Sequence, residues 1–449
     1  GFLTPEDKAG LEKTFRVFMD IVDKELYLGG ISNHYLAEIV GCLTAAMVLQ
    51  DDERIQRFLY GHSGFMVHLA KGVFDDGWYY ECSLGYNLWV LVLYMQTGIG
   101  LEKLGYYILN EKVPTYYSEN INIASEELYG LTLAQWGPRN KSYRNLEMMV
   151  DSLLRYSDYR GIVFAMNDSQ DQNINTRRHG FKPYDLAYYI FKKPEYGYMA
   201  TMNEGGRCCI YGEEFQEEFD GAYLYRESTH SGNAGYAVLR NQNSNDKDRI
   251  QAVMHYGSHG GYHGHFDRLD LVSLMRYGKS FYFPEVIWYG YGSHLYKFLM
   301  QNSITHNMTV VDGKNQEAVP AEELLFYRGK YIQVSSAKVN ARWANPPYGG
   351  MRYSPDQSLE DKALEEGRTF RFPQQQPAYG EITDYTEPVR QERTMVLTDH
   401  YLLIHDCLSA EQKHCYDYMF QPKALKEIKG AKKTGNISQL DKNPLSSGQ

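Results

Sequence analysis

The first 193 residues place apolar side chains at helical spacing. Within residues 35–50, Leu36, Ile39, Val40, Leu43 and Met47 recur every three or four positions, which predicts a helix with one buried face. Asn33 is predicted to be the N-cap of this helix. A second stripe predicts a helix over 146–154, and weaker patterns predict helices near 6–26, 52–70, 83–97, 99–110, 124–136 and 183–192.

Pro194 is predicted to close this helical half. Several antiparallel helices joined by short loops favour an α/α toroid, or part of one, over a small bundle. The chain starts with Gly1, in helical sequence and without Met. We therefore expect it to be a piece of a longer precursor whose toroid is incomplete here.

The pattern changes after about residue 197. Short apolar runs at 234–240, 250–256, 269–276, 308–311 and 401–405 predict strands, and polar turns such as 241–247 separate them. Strands that follow helices without βαβ alternation indicate separate layers or domains. We predict a multidomain α and β chain, with an N-terminal, incomplete α/α toroid over 1–195 and an antiparallel β-sandwich over 196–449.

The composition of the chain argues against some classes of function. The chain has 449 residues and a net charge of −10 without a basic block, which argues against nucleic acid as a partner. The longest apolar run, 88–95, is too short to cross a bilayer. The 40 tyrosines fit either ordinary packing or a sugar-binding cleft, where aromatic faces and phenols share one surface.

The stretch 255–267, HYGSHGGYHGHFD, is the most unusual part of the chain. It holds four of the 14 histidines, interleaved with glycines, and imidazole both transfers protons near neutral pH and binds divalent metals. Downstream, Glu285 and His306 would complete a two-imidazole, one-carboxylate set with His265, which suits zinc. The alternative is that Glu285 and His306 are loop residues with no shared role.

Two further motifs lie in the helical half. Asn33 and His34 stand at a helix start, where a capping Asn beside a surface His is the simpler explanation. The loop DGWYYECSLGY at 76–86 leads into an apolar helix. Its Tyr86 is either a packing residue or a proton donor or base.

Taken together, these motifs resemble the heparinase II/III-like polysaccharide lyases. The resemblance rests on HGGYHGHFD, then FPE, then THNMTVVDGKNQ within 259–316, and on the DGxxxExSxGY segment at 76–86 and Asn33-His34. The GGxHGHFD and VVDGxNQ motifs are most similar to those of the exo-acting branch, which includes oligoalginate lyases and exo-heparinases. The toroid and sandwich of that family agree with the order of elements predicted above.

The resemblance implies β-elimination on a 4-linked uronic-acid polysaccharide, either a heparin/heparan-type glycosaminoglycan or alginate, giving unsaturated uronate products. Asn33 would hold the substrate carboxylate, and Tyr86 would protonate the leaving oxygen. His34 would serve as a base or would hold the carboxylate with Asn33, and His263 would assist. The substrate-binding residues would be Glu81, His259, Tyr289 and Tyr291. His265, Glu285 and His306 would hold a structural divalent metal, zinc by preference, and no organic cofactor is expected.

The same resemblance implies an acidic polysaccharide or oligosaccharide as the partner, a periplasmic or secreted bacterial protein, and neither nucleic acid nor membrane as partners. A homodimer is one expectation for the assembly. Two positions depart from the family pattern, because Glu285 stands where the family has a metal-binding Asp and Gln421 where it often has a His.

Two other functions stay open at this stage. One is a non-catalytic carbohydrate-binding protein on the lyase scaffold. The other is a glycoside hydrolase on an α/α toroid, which requires two carboxylates flanking a cleft. Asp76 and Glu81 are its candidates.

Overall fold

The structure is a computed structural model. It describes residues 2–26, 31–115, 140–170, 172–178, 180–202, 208–210, 213–215, 219, 221–242, 245, 248–257, 259–260, 263–281, 300–344 and 385–422. The contacts divide the chain into two compact units. The first unit comprises Gly1–Val163, Gln172–Tyr225 and Gly232–Ala234, and the second comprises Phe164–Asp171, Arg226–Ser231 and Gly235–Gln449. The predicted boundary at 195/196 stays a prediction.

Helices dominate the described part of the first unit. They are α1 (Pro5–Leu26), α2 (Asn33–Leu49), α3 (Asp52–Tyr60), α4 (Phe65–Gly72), α5 (Leu84–Glu102), α6 (Leu146–Leu153), α7 (Pro183–Phe191) and α8 (Pro194–Thr201). The buried side chains Leu36, Ile39 and Leu43 of α2 confirm the predicted stripe. No helix among these described residues is both long and apolar enough to cross a membrane.

Two details differ from the prediction, and one predicted helix is not tested. The patterns at 83–97 and 99–110 belong largely to one helix, α5, which ends at Glu102. Pro194 begins a helix instead of closing the helical half, because proline lacks only an N–H that the first helical turn leaves unpaired anyway. The helix predicted at 124–136 lies outside the described residues.

The strands of the first unit are short and pair two by two. They are β1 (Val113–Pro114) with β2 (Tyr143–Arg144), β3 (Ile162–Val163) with β4 (Gln172–Asn173), and β5 (Cys208–Ile210) with β6 (Glu213–Phe215).

The second unit contains two larger antiparallel sheets. The five-stranded sheet has the order β11-β10-β9-β8-β7, and the four-stranded sheet has the order β14-β15-β17-β18. The strands are β7 (Thr229–His230), β8 (Tyr236–Arg240), β9 (Gln251–His255), β10 (Asp270–Arg276), β11 (Lys279–Ser280), β12 (Thr309–Val311), β13 (Asn315–Gln316), β14 (Glu322–Arg328), β15 (Gln333–Ala341), β16 (Trp343–Ala344), β17 (Val389–Leu397), β18 (Leu402–Ser409) and β19 (Tyr416–Tyr418).

One hydrophobic core joins residues of both sheets. Leu239 and Met254 of the five-stranded sheet belong to the same buried cluster as Val339, Met395 and Leu397 of the four-stranded sheet. Helices followed by antiparallel sheets are therefore the observed order, which agrees with the predicted order of elements.

Strand β15 was not predicted from the sequence. Polar Ser335 and Ser336 are buried within it, so it lacks the apolar alternation of a half-buried strand. Ser336 and Thr394 share a hydrogen bond of 2.8 Å between hydroxyls, which satisfies one such group. This cross-strand pair depends on β17, more than 50 residues away along the chain.

His414 ties three segments of the second unit together. Its Nδ1 lies 2.6 Å from Asp312 Oδ2 and its Nε2 lies 2.9 Å from Glu387 Oε1. The hydrogen bonds to Asp312 and Glu387 raise the pKa of His414. The hydrogen bond from His414 lowers the pKa of Glu387.

The His414 contacts predict a pH-dependent stability. The raised pKa of His414 means that its contribution is complete below the unfolded-state value of about 6.5 and is lost as pH rises through the folded value. The lowered pKa of Glu387 means that its contribution is complete above about 4.3 and is lost at lower pH. We expect the His414→Gln variant to lose more thermal stability, relative to wild type, at pH 6 than at pH 9.

The control is His405→Gln, because His405 lies exposed on the edge strand β18. Its melting temperature should follow that of the wild type at every pH in a calorimetric series. An equal loss for His414→Gln at pH 6 and pH 9 would contradict the proposed charge interaction.

Candidate active site and metal centre

The Asn33 motif and the 76–86 motif meet in the helical unit. The backbone N–H of Asn33, at the first position of α2, donates a 3.2 Å hydrogen bond to Glu81 Oε1. Both residues are buried, with 1% and 4% of their surface exposed. A carboxylate at this position also meets the positive end of the helix dipole. Two motifs separated by 48 residues thus form one local structure.

The predicted cap of α2 was wrong by one residue. Ser32 is the N-cap, and its hydroxyl accepts a 3.2 Å hydrogen bond from the Tyr35 N–H. Asn33 therefore does not cap the helix itself. Its predicted grip on a substrate carboxylate stays a prediction.

His34 follows Asn33 in the first turn of α2 but is exposed. Consecutive helical residues point about 100° apart, which explains why one of this pair is buried and the other is not. Its role as a base stays a prediction.

Tyr86 occupies the first turn of α5 and is half-buried. Its ring makes an edge contact with Trp89, with 6.0 Å between the ring centroids. The side chain of Arg178 has a charge interaction with Tyr86. Burial lowers the pKa of Arg178, and the charge interaction with Tyr86 acts in the opposite direction. Arg178 was missed from the sequence, because an arginine in a loop has no distinctive spacing.

Asp76 has a structural role. Its Oδ2 accepts hydrogen bonds from the N–H groups of Asn233 (2.9 Å) and Ala234 (2.8 Å), and its Oδ1 accepts one from Trp78 (3.1 Å). A carboxylate that accepts three backbone hydrogen bonds fixes a turn. The hydrolase alternative, with Asp76 and Glu81 as its candidate carboxylates, stays a prediction.

The histidine stretch connects β9 to β10 in the second unit. Gly264 is required there, because a side chain would overlap the carbonyl oxygen of His259. His259 is 1% exposed, and burial together with the charge of Arg268 holds its pKa well below the usual range. His255 Nδ1 lies 3.1 Å from Asp267 Oδ2. Both imidazoles are thus enclosed by protein, and the substrate-binding role of His259 stays a prediction.

His263 and His265 share one carboxylate, that of Asp168. Asp168 Oδ2 lies 2.8 Å from His263 Nδ1, and Asp168 Oδ1 lies 3.1 Å from His265 Nε2. Burial tends to raise the pKa of Asp168, but the hydrogen bonds from the two histidines outweigh it and lower the pKa. Asp168 was missed from the sequence, because it lies 95 residues before His263.

His306 lies beside His265, with 5.2 Å between the ring centroids. Its Nδ1 is 3.2 Å from Asp270 Oδ2. Burial tends to lower the pKa of His306, but the hydrogen bond to Asp270 and the charge of Asp267 outweigh it and raise the pKa.

Two buried nitrogens fit a metal at this place. Among the described residues, neither His265 Nδ1 nor His306 Nε2 has a hydrogen-bond partner. The opposite nitrogen of each ring contacts a carboxylate, the arrangement that usually orients metal-bound histidines. The chemistry of this donor set therefore fits zinc.

Asp267, Asp270 and His306 form a second group whose potential ligand atoms lie within 4.8 Å of one another. The two carboxylates already have partners. Asp267 contacts His255 and Arg268, and Asp270 accepts a 2.7 Å hydrogen bond from the Asn307 N–H. We therefore assign these carboxylates an orienting role around His306. The predicted ligand Glu285 and the predicted substrate residues Tyr289 and Tyr291 lie outside the described residues.

Comparisons with known proteins give a fold but no sequence family. No family model matches the chain, and no curated protein matches it by sequence. Among solved structures, a heparan sulfate lyase from Pedobacter heparinus is 14% identical with a TM-score of 0.51, covering 84% of this chain and 45% of its own. A heparinase III is 15% identical with a TM-score of 0.53, covering 88% of this chain and 48% of its own.

The fold of the chain is similar to that of these heparan sulfate lyase and heparinase III structures. The chain spans about half the length of these similar structures. At this level of identity the similarity concerns the fold, and function has to be argued from the residues of the site.

Proposed function

We propose that the chain is a polysaccharide lyase that cleaves a 4-linked uronic-acid polysaccharide by β-elimination. The observation that carries the proposal is the hydrogen bond between the Asn33 N–H and Glu81. This contact supports the proposal, because it holds the helix start at Asn33 next to the loop that leads to Tyr86.

The reaction needs three chemical operations. The negative charge of the uronate carboxylate has to be neutralised, the C5 proton removed and the departing O4 protonated. Hydrogen bonds aimed at the developing enolate stabilise it, which is the role that we propose for the Asn33 amide. Arg178, near Tyr86, would add a positive charge for an anionic substrate despite the overall charge of −10.

Tyr86 is the proposed acid that protonates O4, and it also serves as the base for one C5 epimer. The exposed His34 is the proposed base for the other epimer. His263 assists in proton transfer. His265 and His306, with Glu285, would hold a structural zinc, and zinc would supply rigidity to the histidine segments.

The finer features of the proposal follow the sequence resemblance. We propose that the helices are part of an α/α toroid and that the two larger sheets form a β-sandwich. We also propose exolytic cleavage, periplasmic or secreted localisation in a bacterium and a homodimer. A heparan-type glycosaminoglycan is the preferred substrate class, and alginate is the alternative.

The proposal predicts an unsaturated product. Incubation with heparin, heparan sulfate, hyaluronan and alginate should raise the ultraviolet absorbance of the C4–C5 double bond with at least one of them. Exolytic action should release small oligosaccharides from the start, while the size of the remaining polymer falls slowly in gel filtration. Binding to a polysaccharide without any absorbance rise would instead support the non-catalytic alternative.

A further inference from the structure

Asp168 lies in a short segment, 164–171, that belongs to the second unit. The Asp168 N–H donates a 3.1 Å hydrogen bond to the carbonyl of His263. The side chain of the preceding residue, Asn167, accepts a 3.1 Å hydrogen bond from the His265 N–H. Asn167 has a positive φ of 51°, a conformation that asparagine tolerates better than most residues. The segment is thus fixed to the histidine stretch through its backbone as well as its side chains.

The Asp168 carboxylate is enclosed together with both imidazoles. The side chains of Asp168, His263 and His265 are 0%, 4% and 1% exposed. An ionised carboxylate only accepts hydrogen bonds, so each neutral imidazole has to present an N–H to it. Because the two contacts use Nδ1 of His263 and Nε2 of His265, the two rings are held in opposite tautomers.

The opposite tautomers match two different tasks. The Nδ1–H form of His263 carries its lone pair on Nε2. The Nε2–H form of His265 carries its lone pair on Nδ1, the nitrogen that has no hydrogen-bond partner among the described residues. A metal binds the lone pair of a neutral imidazole, and the hydrogen bond at the other nitrogen selects the tautomer.

We propose that Asp168 is a positioning residue that sets both tautomers at once, directing His263 Nε2 to proton transfer and His265 Nδ1 to a divalent metal. This inference rests on the proposed lyase function for the task of His263, but its metal part stands independently. One carboxylate would then control the two halves of the site, so its loss should affect metal affinity and turnover together.

The first test uses the unmodified chain. Long-range ¹H–¹⁵N correlation spectra of histidine-labelled, metal-free protein, at a pH where imidazoles are neutral, report each tautomer. His263→Gln and His265→Gln assign the two signals. We expect His263 as the Nδ1–H form and His265 as the Nε2–H form. Finding either ring in the other tautomer would overturn the proposal without any variant of Asp168.

The second test measures zinc affinity by competition with a chromogenic chelator, so it needs no substrate. Asp168→Asn should weaken zinc binding by about 10–100-fold, because the neutral amide cannot accept from both rings. Asp185→Asn is the matched control, since Asp185 is equally buried and accepts a 2.8 Å hydrogen bond from Asn175. The control should keep the wild-type affinity within about twofold. Equal affinities for Asp168→Asn and wild type would contradict the proposal.

The third test measures turnover at saturating zinc. Asp168→Asn should lower kcat by about 10²-fold or more with little change in KM, since a wrong tautomer removes acid–base catalysis but not binding. Asp168→Glu, which keeps the charge, should recover part of the loss. A wild-type chain that is inactive on every polysaccharide would refute the lyase function, whereas the spectra and the zinc titration would still decide the role of Asp168.

Discussion

Tyr86→Phe is expected to lower kcat by about 10²–10⁴-fold, the usual contribution of one general acid–base group. The substitution removes only the phenolic hydroxyl and keeps the ring, so the edge contact with Trp89 persists. Binding of the polysaccharide should change little, and the loss should appear in kcat and not in KM. Initial rates of unsaturated-product formation at several substrate concentrations give kcat and KM separately.

Tyr94→Phe provides the matched control in the same helix. Tyr94 is buried, and its hydroxyl donates a 3.2 Å hydrogen bond to the Phe65 carbonyl. Its loss should cost about 1 kcal/mol of stability while kcat stays at the wild-type value. Full activity of Tyr86→Phe would remove Tyr86 from the proposed mechanism, and equal losses of kcat in both variants would indicate a structural effect.

Arg393→Met is expected to give the largest loss of stability in the second unit, about 3–5 kcal/mol, the usual cost of breaking a buried ion pair. Arg393 is 1% exposed. Its guanidinium makes two 2.7 Å hydrogen bonds to the Asp406 carboxylate. It also donates to the carbonyls of Leu269 (2.7 Å) and Asn307 (2.6 Å). Removing it leaves a carboxylate and two carbonyls without their donor.

Arg390→Met is the control on the same strand. Arg390 is exposed and its ion pair with Glu392 lies at the surface, where such pairs contribute little, so the change should stay within about 0.5 kcal/mol. Denaturant unfolding at constant pH measures both variants. Adding Asp406→Leu to Arg393→Met should restore part of the stability, because it removes the unpaired charge. A cost below about 1 kcal/mol for Arg393→Met would contradict the predicted importance of the pair.

Arg393 also links stability to the proposed metal centre. The two carbonyls that it binds belong to Leu269 and Asn307, which adjoin Asp270 and His306 in the chain. The residues that orient His306 are thus fixed by a strand of the four-stranded sheet. We expect zinc affinity to fall in Arg393→Met as well, since the site loses its support.

The sequence by itself determined the order of helices and strands and the motifs of the site. Apolar periodicity is a local property, so the stripes of α2 and α6 were enough to predict those helices. Local patterns did not determine ends and caps. Ser32 replaced Asn33 as the cap of α2, and Pro194 began a helix, because the choice between neighbouring polar residues or between start and stop depends on what the helix packs against.

Only the tertiary structure decided which polar residues share a site. Asp168 and Arg178 are ordinary residues in their local sequence, and their significance comes from His263, His265 and Tyr86, which approach them through the fold. Ser335 and Ser336 are buried but gave no strand signal, because their burial also depends on the fold and not on the local sequence. Hydrogen bonds and charge interactions act over a few ångströms, whereas Asp168 and His265 are 97 residues apart in the sequence, a distance that no sequence pattern spans.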